Sequence, residues 1–90
     1  VAVTDRPDHH RYEATIDGEL AGVIVYERSE GTIDLQHTIV EGAFEGRGVG
    51  SALTRFALDA ARAAGDRVIP TCPFVAAFLG RHPEYADVVA

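Results

Sequence analysis

The ninety-residue chain has one cysteine, Cys72, and no lysine; all eight of its cationic side chains are arginines. A single thiol excludes an internal disulfide framework and any cysteine-rich zinc site. His9, His10, His37 and His82 include no helical i,i+4 pair, so no structural metal is expected. No apolar run approaches the ~20 residues needed to span a bilayer. Val1 to His10 also lacks the basic-then-apolar pattern of a secretory signal, so a cytoplasmic protein with no membrane partner is predicted. A net charge of −6 argues against a surface that tracks nucleic-acid phosphates. Internal repeats, low-complexity stretches and linkers are missing as well. Residues 1–90 are therefore read as one domain, with 1–10 as a flexible or edge segment and His9 and His10 in a mobile terminus.

What charge there is lies unevenly. Residues 1–45 carry three arginines against ten acidic side chains, whereas residues 46–90 carry five against four. An anion is drawn to the second half. The acidic first half suits a cationic partner or an amine, or serves solubility alone.

The hydrophobic periods change once along the chain. Arg11 to Asp17 alternates and ends on Asp17-Gly18, a dipeptide that favours a tight hairpin. Leu20 to Arg28 is apolar on both faces, as in a central strand. Thr32 to Val40 reads as a third strand, with Ile33, Leu35, His37 and Ile39 on one face and Asp34, Gln36, Thr38 and Val40 on the other. From Val49 the spacing becomes helical, through Ala52, Leu53, Phe56, Ala57, Ala60 and Ala63 or Ala64, until Gly65 supplies a left-handed stop. Arg67 to Thr71 is a short strand. Pro73 suits the first turn of a second helix, Phe74 to about Arg81, which His82-Pro83 ends. The fold class is α/β of the α+β type: an antiparallel three-stranded meander, a central helix that covers it, a splayed short strand and a short second helix.

Between the third strand and the long helix lies Phe44-Glu45-Gly46-Arg47-Gly48-Val49-Gly50-Ser51. Glycines let a backbone approach a ligand closely, and the first N–H groups of a helix have no internal partner, so this segment is either an anion site or a flexible helix start. It is not a Walker loop, because no Lys-Ser/Thr follows. Nor is it the dinucleotide fingerprint, because its third glycine comes one place early and a meander precedes it.

The glycine turn resembles the signature of the GNAT superfamily of acetyl-CoA-dependent N-acetyltransferases, Gln/Arg-x-x-Gly-x-Gly/Ala, with Gly48 and Gly50 at its glycines. His37-Thr38-Ile39-Val40, Val68-Ile69-Pro70-Thr71-Cys72-Pro73-Phe74 and Arg81-His82-Pro83-Glu84-Tyr85 are similar to the short, single-domain GNAT-like subfamily over residues 10–90. The resemblance implies acetyl-CoA as cofactor, with its pyrophosphate on the amides of Gly46, Arg47, Gly48, Val49, Gly50 and Ser51. It places pantetheine in a cleft between the third strand, at Thr38, Ile39 and Val40, and the short strand ending at Thr71. The thioester then lies near Cys72, Pro73 and Phe74. Glu45 departs from the signature and sets a carboxylate where an anion would arrive.

Amide formation from a thioester needs a deprotonated amine and a proton for the departing thiolate. Cys72, ahead of a helix start that lowers thiol pKa, can accept the acetyl group, protonate the thiolate or simply pack. His37 is a candidate general base or a hydrogen-bonded core imidazole. Tyr85 can donate a proton or pack; Arg81 and His82 can reach the cofactor's phosphates or cap their helix. The expected function is acetyl-CoA binding with acetyl transfer to a primary amine, on a small molecule or a peptide, by a monomer or weak homodimer. Two alternatives stay open: a CoA-binding module that senses or sequesters without transfer, and a dimerising domain built on a free sheet edge.

Overall fold

The computed structural model describes all ninety residues. Strands β1 (Ala2–Arg6), β2 (Arg11–Ile16), β3 (Glu19–Ser29) and β4 (Thr32–Val40) form an antiparallel meander. Helix α1 (Val49–Ala64) then crosses one face, β5 (Arg67–Ile69) pairs parallel with β4, and α2 (Pro73–Arg81) follows. The β2–β3 hairpin closes on Asp17 and Gly18, both at positive φ (51° and 80°), the geometry that such a two-residue turn requires. Pro70 stops β5 at Ile69, two residues before the expected end. Beyond α2, a 3₁₀ segment (Pro83–Val88) leads Val89 and Ala90 back onto Val68.

The first ten residues form an edge strand and a turn rather than a mobile terminus. β1 pairs with β2 from Ala2↔Thr15 to Arg6↔Arg11, and the Tyr26 hydroxyl donates to Asp5 Oδ1 at 2.6 Å. Burial, together with that bond to a carboxylate, pushes the Tyr26 hydroxyl up to about 12, so it stays a donor throughout the physiological range.

Helix α1 is rotated from the expected stripe. Its buried side is Val49, Gly50, Leu53, Thr54, Ala57, Leu58 and Ala61, while Phe56 is 38% exposed. Counting apolar residues alone favoured Phe56 over Thr54, yet Thr54 can be buried because its hydroxyl donates to the Gly50 carbonyl one turn back at 2.8 Å. Burying the stripe against Tyr12, Ala14, Ile24, Tyr26, Ile33 and Leu35 makes one core.

One irregularity re-aims the site. Val25 pairs with His37 and Tyr26 with Leu35, so Gln36 is an extra residue on β4. Such a bulge shifts the alternation by one. Ile33 and Leu35 point into the core, but beyond the bulge it is Thr38 and Val40 that point inward, and His37 and Ile39 are exposed on the opposite face. The expectation that His37 and Ile39 share a face with Ile33 and Leu35 is therefore corrected: simple alternation does not survive an inserted residue.

Both helices pack on one face, and the other is left uncovered. Register places Val23 and Ile39 in one row of that outer face, Val25 and His37 in the next, and Glu27, Asp34 and Ile69 in another. Val23 is buried by its neighbours, yet it belongs to no part of the core.

Where α1 crosses the sheet, it meets Gly22. A Cβ there would lie 2.8 Å from the Ile39 carbonyl oxygen and 3.0 Å from Val49 Cγ1, a backbone atom and a packed side chain with no room to retreat. Gly22→Ala is expected to destabilise by about 1–3 kcal/mol, the range for overpacking a filled core. Urea denaturation of the two proteins checks this; equal midpoints would mean that α1 lifts off the sheet without cost.

Candidate functional site

The turn from β4 into α1 builds a groove of about 230 Å³ along the start of the helix. Val40, Phe44, Glu45, Gly46, Gly48, Val49, Gly50, Ser51 and Phe74 line it. Gly46 and Gly48 adopt left-handed backbone (φ 77° and 76°), and a Cβ on either would meet nothing within 4 Å, so both face open space. Gly48 is the N-cap of α1. No side chain caps this helix and no acid sits in its first turn, so the N–H groups of Val49, Gly50 and Ser51 keep their positive pole uncompensated. Gly50 has a different reason for lacking a side chain: its Cβ would lie 2.8 Å from Phe74 Cζ, because the Phe74 ring packs on the helix backbone and forms the far wall.

The Arg47 side chain does not line the groove; its guanidinium lies 5.7 Å from the Phe44 ring centroid. Glu45 does line it. Phe44 was not singled out from the sequence, and only its apolar character just before the glycines hinted at a wall.

Cys72 is the N-cap of α2, 3% exposed, and tied to β4 by its own N–H, which donates to the Leu35 carbonyl at 2.8 Å. Because the bulge turns Thr38 inward, its hydroxyl lies 3.2 Å from Cys72 Sγ. Burial pushes this thiol up. The Thr38 hydroxyl, the amides of Val75 and Phe74 at the start of α2 and the Thr38 backbone outweigh that, and the thiol settles below its ordinary value. The first-turn amides act on the sulfur at a distance, since none closes a formed capping bond.

The expected site residues thus divide. Val40, Gly46, Gly48, Val49, Gly50, Ser51 and Phe74 come together in the groove, and Thr38 with Cys72 forms a pair under the sheet. His37 and Ile39 stand on the outer face, Pro73 is exposed in the first turn of α2, and Arg81 is exposed at its last residue. Tyr85 is buried, donating to Asp59 Oδ1 at 2.8 Å and accepting from Arg55. The His82 ring stacks on Phe78 with centroids 4.0 Å apart. Both belong to the packing of α2 rather than to the groove.

A second hollow of about 200 Å³ lies at the far end of α1, around Arg62, Asp66, Arg67 and Asp87. Three of its four charges are in ion pairs, since Arg62 reaches Asp87 at 2.6 Å and Arg28 reaches Asp66 at 3.0 Å, and Arg67 donates to the Asp87 carbonyl at 2.7 Å. No set of three His, Cys, Asp or Glu side chains comes together as metal ligands. No helix is long and apolar enough to cross a membrane.

Over residues 11–88 the sequence matches the family model of the GCN5-related N-acetyltransferases. The chain belongs to that family. Its fold is shared with the NMR solution structure of a GCN5-like protein from Staphylococcus aureus, with a TM-score of 0.75 and 22% identity, over 99% of this chain and 87% of that one. No curated protein matches in sequence. Members of this family generally use acetyl-CoA, and membership supports acetyltransferase activity in general.

The groove fits the anionic part of such a cofactor. Two glycines without neighbours leave room for a phosphate against the backbone, and three unpaired amides at a helix start supply donors and a positive pole. Glu45 opposes them. A carboxylate about 4 Å from a phosphate costs ~1 kcal/mol in water. Glu45→Gln is therefore expected to tighten acetyl-CoA binding several-fold at low salt and less at high salt, as screening shortens the reach of the charge. Calorimetry at two salt concentrations measures it; unchanged affinity at both would mean that the carboxylate points to solvent.

Proposed function

We propose that this protein binds acetyl-CoA in the glycine groove and transfers its acetyl group to a primary amine. The observation that carries the proposal is the adjacency of two features along β4 and α2. Val40 and Phe74 wall a groove whose floor is an uncompensated helix start. Two residues before each of these, Thr38 and Cys72 set a hydroxyl beside a thiol of lowered pKa. Acetyl-CoA supplies the activated thioester. The amides of Val49, Gly50 and Ser51 hold the anion, Gly46 and Gly48 let the backbone come close to it, and the sheet excludes water from Cys72. The thiol then holds a proton for the leaving sulfur, or is itself acylated.

Burial of Cys72 and the carboxylate of Glu45 favour a second reading, a module that binds CoA without transfer. One experiment separates the two. Native mass spectrometry with acetyl-CoA reads binding, and release of free thiol in the presence of an amine panel reads transfer. Binding with turnover supports the first reading, binding without turnover supports the second, and absence of binding removes both.

A further inference from the structure

Tyrosines and Cys72 aside, Thr54 is the one buried side chain with a polar atom. It is fully buried and shares the inner side of α1 with Val49, Leu53, Ala57 and Leu58. Valine has nearly the same shape and helix propensity, and it needs no hydrogen-bond partner in a core. A threonine bonded back to the preceding turn slightly weakens its helix. Neither packing nor helix stability therefore calls for the hydroxyl.

What the hydroxyl does touch is the groove's backbone. It donates to the Gly50 carbonyl at 2.8 Å, the same acceptor that helix geometry gives to the Thr54 amide. That carbonyl shares one peptide group with the Ser51 N–H. Val49, Gly50 and Ser51 open α1, and Ala52 is the first residue whose N–H finds a carbonyl, that of Gly48 at 3.0 Å. The Ser51 N–H is thus the last free amide of the helix start, and Ser51 lines the groove.

A second donor on the Gly50 carbonyl acts in two ways. It polarises the peptide group, and linked hydrogen bonds strengthen one another, so the Ser51 N–H becomes a better donor to an anion. It also fixes the peptide plane at a residue that would otherwise turn freely. The Phe74 ring closes on Gly50 from one side, with Cζ 2.8 Å from where a Cβ would lie, while the Thr54 hydroxyl holds the carbonyl oxygen. The glycine is clamped at both places.

We propose that Thr54 is a positioning residue for cofactor binding. From the buried side of α1 it orients and polarises the Gly50–Ser51 peptide, so that the Ser51 N–H meets the cofactor's phosphate as a fixed, strengthened donor. Thr54 itself touches no cofactor atom. The inference rests on acetyl-CoA binding in the groove, proposed above.

The test compares the whole wild-type protein with Thr54→Val, which removes the hydroxyl, and Thr54→Ser, which keeps it. Urea denaturation checks that both variants fold. Without ligand, the Ser51 amide nitrogen resonance is expected to move upfield in the valine variant and to stay near its wild-type position in the serine variant. Calorimetry with acetyl-CoA should show Kd raised about two- to fourfold by valine and kept by serine, the scale of a partial loss of strength in one bond to a charged group. In the thiol-release assay, KM for acetyl-CoA should rise by the same factor while kcat holds, the pattern of binding lost equally from ground and transition states. An unmoved Ser51 resonance in the valine variant overturns the proposal. So does equal weakening by valine and serine, which would assign the effect to packing. If the wild type binds acetyl-CoA and the valine variant binds it equally, this inference alone falls; if the wild type binds none, the function proposed above falls and carries this inference with it.

Discussion

Acetyl-CoA is expected to raise the unfolding temperature of the wild-type protein, and Gly48→Val is expected to abolish that rise. A ligand that binds only the folded chain stabilises it by about 2.7 kcal/mol at a hundredfold excess over Kd, which a 90-residue domain registers as a shift of several degrees. Gly48 stands at φ 76° as N-cap of α1, with open space where its side chain would be. Valine there fills the space through which the cofactor's phosphates would approach the amides of Val49 to Ser51. It also costs ~1–3 kcal/mol by forcing a β-branched residue into left-handed backbone. The baseline melting temperature therefore falls too, and the informative quantity is the ligand-induced difference. Gly48→Asn separates the two effects. Asparagine tolerates the left-handed region, so this variant should keep most of its stability and still lose most of the shift. A full shift in the asparagine variant would take the glycine turn out of the binding site.

How much of this was legible in the sequence depends on which rule governed each residue. Short-range rules read well: Asp17-Gly18 is the β2–β3 turn, Gly65 ends α1, and Pro73 opens α2 with Cys72 as its cap. The groove was legible because backbone chemistry defines it, and glycines declare backbone chemistry directly. The bulge at Gln36 was not legible. Nothing in Leu35-Gln36-His37-Thr38 marks an extra residue, because the pairing that exposes it is made with Val25 and Tyr26 on another strand. That single insertion moved Thr38 from the assumed outer face to the side of Cys72, and carried His37 away from it. The rotation of α1 escaped for a related reason, since whether Thr54 or Phe56 is buried depends on a hydroxyl bond within the helix and on the shape of the sheet below. Gly50 lines the groove as expected, but its lack of a side chain is also required by packing under Phe74, a contact between segments that lie far apart in sequence.

Replacing Cys72 with alanine is expected to leave acetyl-CoA binding intact and to slow acetyl transfer by about 10²–10⁴-fold, the range for losing a positioned acid or base. The side chain is small and buried, and α2 is held by the Cys72 N–H to Leu35 and by Val75 and Phe78 in the core, none of which the substitution removes. A slow variant that still binds therefore reports chemistry, with circular dichroism checking that the fold is kept. The mass of the intact protein then distinguishes the two roles. The chain has no lysine, so an acetyl group left on it after incubation with acetyl-CoA has few places to sit besides the thiol and the terminal amine. If Cys72 is acylated, the wild type gains one hydroxylamine-labile acetyl group that Cys72→Ala lacks, and Cys72→Ser is nearly as slow as alanine because a hydroxyl is far harder to ionise than a thiol whose pKa is already lowered. If Cys72 donates a proton to the leaving sulfur, no adduct forms in any variant and the rate loss stands alone. Thr38→Val should reproduce part of that loss in either case, since it removes the hydroxyl that holds the thiol below its ordinary pKa. Transfer by Cys72→Ala at the wild-type rate would remove Cys72 from the chemistry and leave the Thr38 hydroxyl as the remaining polar side chain of the pair under the sheet.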